Sequence, residues 1–356
     1  MVDNVLIINP FGLGDVIFSM TLVEALKKQL PRVRIGFLGN ERTVPLLRMN
    51  ASIDVSHEFN RDELRALRQK DLAGYLKRLL KYVGELKHSR YDTVFDLSLG
   101  REFSFAAFLS GIPRRVGFDY KGRGFFLTHR VPFTGYEGMP VSDRQLSLLT
   151  VIGLDALPVS SRLPLKVSGK AEEKASGILA RDGRTPSQKI FAVAPGGGRS
   201  WGPNAIYKQW PAERFAHVVN RLSRQGDTVL LLGDGEEKRL LLQVEKALSV
   251  PVVTVSGESL EVVASLLKRS QLLLCNDGGL LHLANALGVK TAAIFGPVDE
   301  TAYGVCGHDT PHETLVQPVP CRPCYKQFRF PPCAHERRCM EELTMEKVLA
   351  AAQKIS

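Results

Sequence analysis

Residues 273–288, LLCNDGGLLHLANALG, limit what this chain can fold into more than any other stretch. A short apolar run ends in Asn276-Asp277-Gly278-Gly279, and an amphipathic run carrying His282 follows at once. The pattern predicts a buried strand, a tight glycine turn, and a helix opening at the carboxyl end of the strand. Unpaired N–H groups at such a helix start, with the positive end of its dipole, attract anions. Gly278 and Gly279 let a ligand approach the backbone, and His282 in the first helical turn can point the same way. The same pattern also serves as an ordinary strand-to-helix connection of an α/β protein.

The rest of the chain repeats this alternation. Residues 5–9, 33–38 and 91–97 read as strands, and 16–30 and 142–153 as helices. Residues 155–164 hold two prolines with little periodicity and read as a linker. Beyond it, 190–194, 228–232, 252–255, 272–275 and 291–295 read as strands, with helices at 211–225, 236–248, 260–268 and after Gly279. This spacing predicts an α/β protein of two Rossmann-like domains, 1–160 and 165–342, each a parallel sheet covered on both faces. Carboxyl strand ends would face a cleft between them. A length of 356 residues accommodates two cores.

With 44% hydrophobic and 24% charged residues, the composition excludes disordered and fibrous classes. No apolar run approaches the roughly 18 residues that span a bilayer. The start reads directly into a strand without a basic leader, so the expected location is the cytoplasm, with reduced thiols rather than a disulfide framework. The net charge of +10 is uneven: residues 61–90 hold nine Lys/Arg against four Asp/Glu, a net of +5. Arg65 and Arg68 lie in that run, on a helical pattern. It reads either as a solvated helix face or as a surface for something anionic, such as the inner membrane leaflet or a phosphorylated glycan. No nucleic-acid motif accompanies it.

Four constellations carry chemistry. Asn9-Pro10-Phe11-Gly12-Leu13-Gly14-Asp15 follows the first strand, and its glycines are expected to permit a turn that a Cβ resists. Asp15 suits a helix cap or, at a cleft mouth, a general base. Pro195-Gly196-Gly197-Gly198 through Lys208-Gln209-Trp210-Pro211 combines a glycine loop with a lysine suited to phosphate. Glu236 and Glu237, after another strand, fit either ribose hydroxyls or the first turn of a helix. Cys321 and Cys324 have zinc-ligand spacing, with Cys333 and Cys339 a looser second pair, so the cluster reads as a structural metal site or as reduced thiols.

Taken in order, these motifs resemble the bacterial heptosyltransferases of glycosyltransferase family 9, which add heptose from ADP-heptose to the inner core of lipopolysaccharide. Gly14-Asp15-Val16 looks like the family's first glycine–acid turn. Pro195-Gly196 with Lys208-Gln209-Trp210-Pro211 looks like its phosphate-lysine motif. The run from Asp277 to His282 resembles its donor-binding turn, and Phe295-Gly296-Pro297 the strand end that follows. The cysteine-rich stretch ending Cys339-Met340 and a final helix also fit. Two departures stand out: Gly278 replaces the family's usual hydroxyl residue, and the loop between Pro195 and Lys208 is longer and richer in glycine.

The resemblance implies a GT-B fold with the acceptor on the N-terminal domain, the nucleotide sugar on the C-terminal one, and inversion without a metal. Asp15 would be the base. Lys208, His282 and the N–H groups near Gly278 and Gly279 would hold the departing diphosphate, and Pro195, Gly196, Glu237 and Asp277 would complete the donor site. Gly14, Arg65, Arg68 and Arg115 would face an anionic glycolipid acceptor. The last helix, 343–356, would cross back to the first domain. Two rival readings use the same residues: a nucleotide-sugar epimerase or hydrolase, and a binding relative that has lost turnover.

Overall fold

Among the described residues, twelve strands pair in parallel throughout and form two separate six-stranded sheets. The computed structural model describes residues 2–180, 189–224, 226–305, 307 and 309–356, without the side chains of Arg61, Asp62, Arg65 and Arg199. The chain divides into two units, Met1–Val159 and Ser160–Ser356. Among the described residues no helix is long and apolar enough to cross a membrane.

The first unit contains β1 (Asn4–Ile8), β2 (Arg34–Gly39), β3 (Val55–Glu58), β4 (Thr93–Asp96), β5 (Arg114–Tyr120) and β6 (His129–Phe133), ordered β3-β2-β1-β4-β5-β6. The second contains β7 (Ile190–Ala194), β8 (Thr228–Gly233), β9 (Val252–Ser256), β10 (Leu272–Asn276), β11 (Thr291–Phe295) and β12 (His312–Val316), ordered β12-β11-β10-β7-β8-β9. Numbered within its own unit, each sheet runs 3-2-1-4-5-6, the Rossmann order. The central strands are apolar because helices cover both faces: Val5, Leu6, Ile7 and Ile8 are fully buried, as is the run Leu272–Cys275. At the β1/β4 and β7/β10 junctions the strand order reverses, and connections leave toward opposite faces. A crevice results at the carboxyl strand ends, where ligands bind in open α/β sheets.

Four strands escape the periodicity reading. β3, β6 and β12 are edge strands whose side chains are only half-buried, and β6 carries Pro132, which an edge tolerates. β5 begins with Arg114-Arg115 and contains Gly117, against which a side chain would overlap the Asp96 carbonyl of its neighbour. The helix expected from residue 16 begins earlier, at Leu13, and runs to Gln29. Gly12 caps it in ordinary extended conformation (φ −75°, ψ 175°), so no left-handed turn requires that glycine.

The last helix does not cross back. Met345–Ile355 seats Val348, Ala352 and Ile355 in the core of the second unit, against β11, β12 and the helix Ala212–Leu222. Their spacing of four and three residues makes one apolar stripe. Polar ties fix the approach: the indole Nε1 of Trp210 donates to the Leu343 carbonyl (3.1 Å), and Lys347 Nζ donates to the Val316 carbonyl (2.9 Å). Val348→Ala should destabilise the second unit by about 2 kcal/mol through lost burial and a residual cavity. Chemical denaturation followed by hydrogen exchange should show the loss in β10–β12 and leave β1–β6 unchanged; equal loss in both sheets would contradict this packing.

Candidate active site

In the second unit, the turns after β7 and β10 flank the reversal of strand order. Asn276, buried at the end of β10, donates from Nδ2 to the carbonyls of Pro195 (2.7 Å) and Gly196 (3.3 Å). Its Oδ1 accepts from the N–H of Trp210 (3.2 Å). One carboxamide thereby holds the glycine loop against the strand that leads to Asp277. The loop is shaped from below by Glu237, whose carboxylate accepts from the N–H of Asp234 (3.1 Å) and from those of Gly197 and Gly198. A Cβ on Gly196 would overlap that carboxylate, which is why glycine stands there. Burial raises the Glu237 pKa. Glu237 thus supports the loop from the start of the helix Lys238–Ala247.

Lys208 and Asp277 meet in this crevice. Their Nζ and Oδ2 atoms lie 2.7 Å apart, and both side chains are almost fully buried. The ammonium also lies 4.7 Å from the centre of the Trp201 ring, a cation–π contact that the sequence reading passed over. Trp201 packs on Tyr325 and Phe330, which joins the loop to the cysteine-bearing segment. His282 is buried in the first turn of the helix Gly279–Ala286. Burial holds its pKa down at about 4; Asp277 opposes that shift and Lys208 reinforces it. It is therefore neutral near pH 7, so this site's positive charge comes from Lys208 and the helix N-terminus, and not from the imidazole. Because the folded-state pKa is depressed, this histidine adds stability above its unfolded value near 6.5, which is lost as pH falls toward 4. Gly278 precedes the helix in extended backbone (φ 175°), and a Cβ there would meet nothing closer than the Asn276 carbonyl at 4.0 Å. Neither conformation nor crowding demands glycine at 278.

The first unit repeats the device. Asn40, buried after β2, donates from Nδ2 to the carbonyls of Pro10 (3.1 Å) and Phe11 (2.5 Å) and so clamps the turn after β1. Asp15, half-buried at the third helical position, accepts the N–H of Gly12 (3.2 Å) through Oδ2, so its carboxylate does cap the helix. Gly14 lies in the same first turn. Beside it, β4 ends in Asp96, level with Ile8 of β1. Asp96 is buried and accepts the N–H of Ser98 (3.0 Å), and Leu99 follows with φ 59°, a left-handed conformation rare for leucine. Desolvation raises the Asp96 pKa to about 6 against the hydrogen bonds from Ser98. Sequence reading missed this carboxyl; its one signal was an acid closing the apolar strand Thr93–Asp96.

The remaining expected residues are dispersed. Arg68 is exposed, and the Arg65 side chain lies outside the described residues. Arg115 donates to the carbonyls of Phe126 (2.6 Å) and Ile112 (2.5 Å), so it braces the chain on either side of β5. Cys321, Cys324, Cys333 and Cys339 are free thiols, and Cys324 Sγ donates to the Cys321 carbonyl (3.0 Å). Among the described residues no group of three or more His, Cys, Asp or Glu side chains is arranged to hold a metal ion.

Two Rossmann units, each with a polar crevice at its strand reversal, are the architecture of the GT-B class. The sequence profile of glycosyltransferase family 9 (heptosyltransferase) matches residues 79–332, and the chain belongs to that family. It is 24% identical over 298 residues to the lipopolysaccharide heptosyltransferase 3 of Escherichia coli, covering 80% of this chain and 81% of that protein. The solved glycosyl transferase family 9 protein of Veillonella parvula superposes with a TM-score of 0.82 at 19% identity, over 99% of this chain and 97% of that one. The E. coli ADP-heptose lps heptosyltransferase II does so at 0.75 and 19%, over 99% and 98%. At these identities the structural likeness is one of fold.

The raised pKa of Asp96 has a signed consequence. Its folded-state value of about 6 lies above the unfolded one, so its stabilising contribution is full below the unfolded pKa and lost as pH rises through 6. Asp96→Asn should therefore be more stable than wild type at pH 8, by on the order of 2 kcal/mol, and lose that advantage at pH 4. Melting temperatures across that range test this, and a constant offset would refute the assignment.

Proposed function

We propose that this protein is an inverting heptosyltransferase that moves heptose from ADP-heptose onto the anionic inner core of a lipopolysaccharide precursor at the cytoplasmic side of a membrane. The observation that carries this reading is the buried Lys208–Asp277 pair beside neutral His282 at a helix N-terminus, in a chain of family 9. A departing nucleoside diphosphate needs positive charge at its oxygens. Lys208 and the N–H groups at Gly278 and Gly279 supply it, so the chemistry calls for no divalent cation. His282 adds a hydrogen bond and Asp277 steers the lysine. Pro195 and Gly196 present backbone to the nucleotide.

On the acceptor side Asp15 takes the proton of the attacking sugar hydroxyl. That hydroxyl has a pKa far above neutral, so proton transfer accompanies attack. The new C1–O bond forms as the C1–O bond to the β-phosphate breaks, ADP departs with the electron pair, and configuration inverts. Membership of a transferase family favours this over the epimerase, hydrolase and binding-only readings. Incubation with ADP-heptose and a heptose-deficient lipopolysaccharide tests it. Expected is a mass gain of one heptose on the acceptor, undiminished by chelators. Release of free sugar without acceptor would support hydrolysis instead.

Asp15→Asn separates base from cap. An amide oxygen keeps the Gly12 contact, so melting temperature and donor affinity should hold while kcat falls at least about a hundredfold. A fully active Asn variant would leave Asp15 with capping alone. Lys208→Ala should weaken donor binding by roughly 1.5–3 kcal/mol, the worth of a charge-assisted hydrogen bond. It should also lower the melting temperature, because the Asp277 carboxylate is left buried and unpaired. Adding Asp277→Asn should restore the stability and not the binding; recovery of both would remove Lys208 from the donor site.

A further inference from the structure

We infer that the first unit carries a docking face for an anionic phospholipid bilayer, built from the helix Leu72–Ser89, the end of the helix Glu102–Leu109, and residues 121–126. The inference rests on the glycolipid-acceptor reading above and adds the surface that would bring the enzyme to its acceptor.

The first observation is an apolar ridge that nothing in the unit covers. The helix Leu72–Ser89 buries Tyr82 and Leu86 in the core, with Leu79 and Val83 packed beside them. Leu72, Leu76 and Leu80, four residues apart, form a separate ridge on the shoulder of that face and are 63%, 48% and 65% exposed. The apolar face is thus wider than the seat beneath it. The helix Glu102–Leu109 carries a second exposed apolar group. Ser110 Oγ donates to the Val83 carbonyl (3.2 Å), which ties the end of the helix Glu102–Leu109 to the middle of this one. Phe108 and Leu109 at that end are 48% and 44% exposed. Phe108 packs on Phe126 (5.7 Å between ring centres), and Phe126 on Phe125 (5.1 Å), which is 74% exposed. Exposed apolar residues gathered this way on a monomer mark an interaction surface.

Charge selects the occupant. Lys77 and Lys81 are exposed on the helical ridge next to the leucines, and Lys121 and Arg123 are exposed beside Phe125. Two of the acids in the same stretch are engaged: Asp71 caps the helix through the Gly74 N–H (2.9 Å), and Glu63 pairs with Arg78 (3.5 Å). An apolar band edged by long cationic side chains fits the boundary between acyl chains and anionic headgroups, with lysine stems lying along the apolar surface and their ammonium groups outward.

Co-sedimentation of the full chain with vesicles tests this. Phosphatidylcholine vesicles containing about one-third phosphatidylglycerol should capture the protein at low salt, and pure phosphatidylcholine should not. Salt at about 0.5 M should release most of it. Leu76→Ser with Leu80→Ser should lower partitioning at least about tenfold, because each loses apolar area to bury. Leu242→Ser, at a leucine of similar exposure in the second unit, should not. The double variant should keep its melting temperature, nucleotide binding and transfer to a lipid-free acceptor glycan, and should lose transfer to vesicle-embedded acceptor. Wild type that ignores both vesicle types, or a double variant that binds like wild type, would overturn the inference. So would a concentration-dependent dimer abolished by the double substitution, which would make the face a self-association surface. The co-sedimentation vesicles carry no acceptor, so failure to bind them leaves the transferase reading standing, and a wild type inactive in every transfer assay leaves the docking face standing.

Discussion

The carboxamide of Asn276 satisfies two carbonyls of one turn and the N–H of Trp210, from a side chain that is itself buried. A buried polar group left unmet costs about 1–3 kcal/mol, and this one side chain answers three of them. Its wider effect is positional. Trp210 is held at its backbone by Asn276 and at its indole by the carbonyl of Leu343, so the chain just before it, carrying Lys208, has little freedom. The loop, the lysine and the approach to the last helix therefore share one anchor. Asn40 plays the corresponding part under the turn that carries Asp15. An asparagine suits both places because it donates twice and accepts once or twice without charge.

Desolvation then sets the electrostatics. The same burial that keeps His282 neutral pushes the Asp96 carboxyl up, since each group is driven toward its uncharged form. Lys208 and Asp277 lie as deep, beside one another. A buried ion pair adds little net stability over an apolar pair of the same shape, but loss of either partner leaves the other stranded. Its value is geometric: it fixes where a cation stands before any ligand arrives, and preorganised charge is what a developing negative charge requires.

How much of this could be read from the chain follows from which interactions are local. The central strands and the glycine turns were legible because apolar runs bounded by glycine need no partner to be recognised. Asp277 and His282 emerged for the same reason, lying at a strand end and a helix start, and Lys208 emerged from the glycine loop that precedes it. β3, β6 and β12 were not legible, because an edge strand needs only half its side chains buried and its composition blurs into loop. Asn276, Asn40 and Asp96 were missed as functional positions because their meaning lies in contacts across the sheet, between residues dozens of positions apart. The seat of the last helix hinged on which apolar stripe it would find, and its periodicity is silent on that. The exposure of Leu72, Leu76 and Leu80 was not legible either, because hydrophobic spacing alone does not show that the seat beneath is already full.

The placement of the last helix has a consequence for how the chain comes into being. Both units are continuous in sequence, and each sheet is built from strands of its own unit. As the polypeptide leaves the ribosome, the N-terminal sheet can close its core while the second is still being synthesised, and domains that fold as units in order of emergence avoid mispairing with one another. That matters for two sheets of the same strand order, both parallel and both centred on a run of aliphatic residues. Synthesis in order thus separates in time two folds that share one strand order.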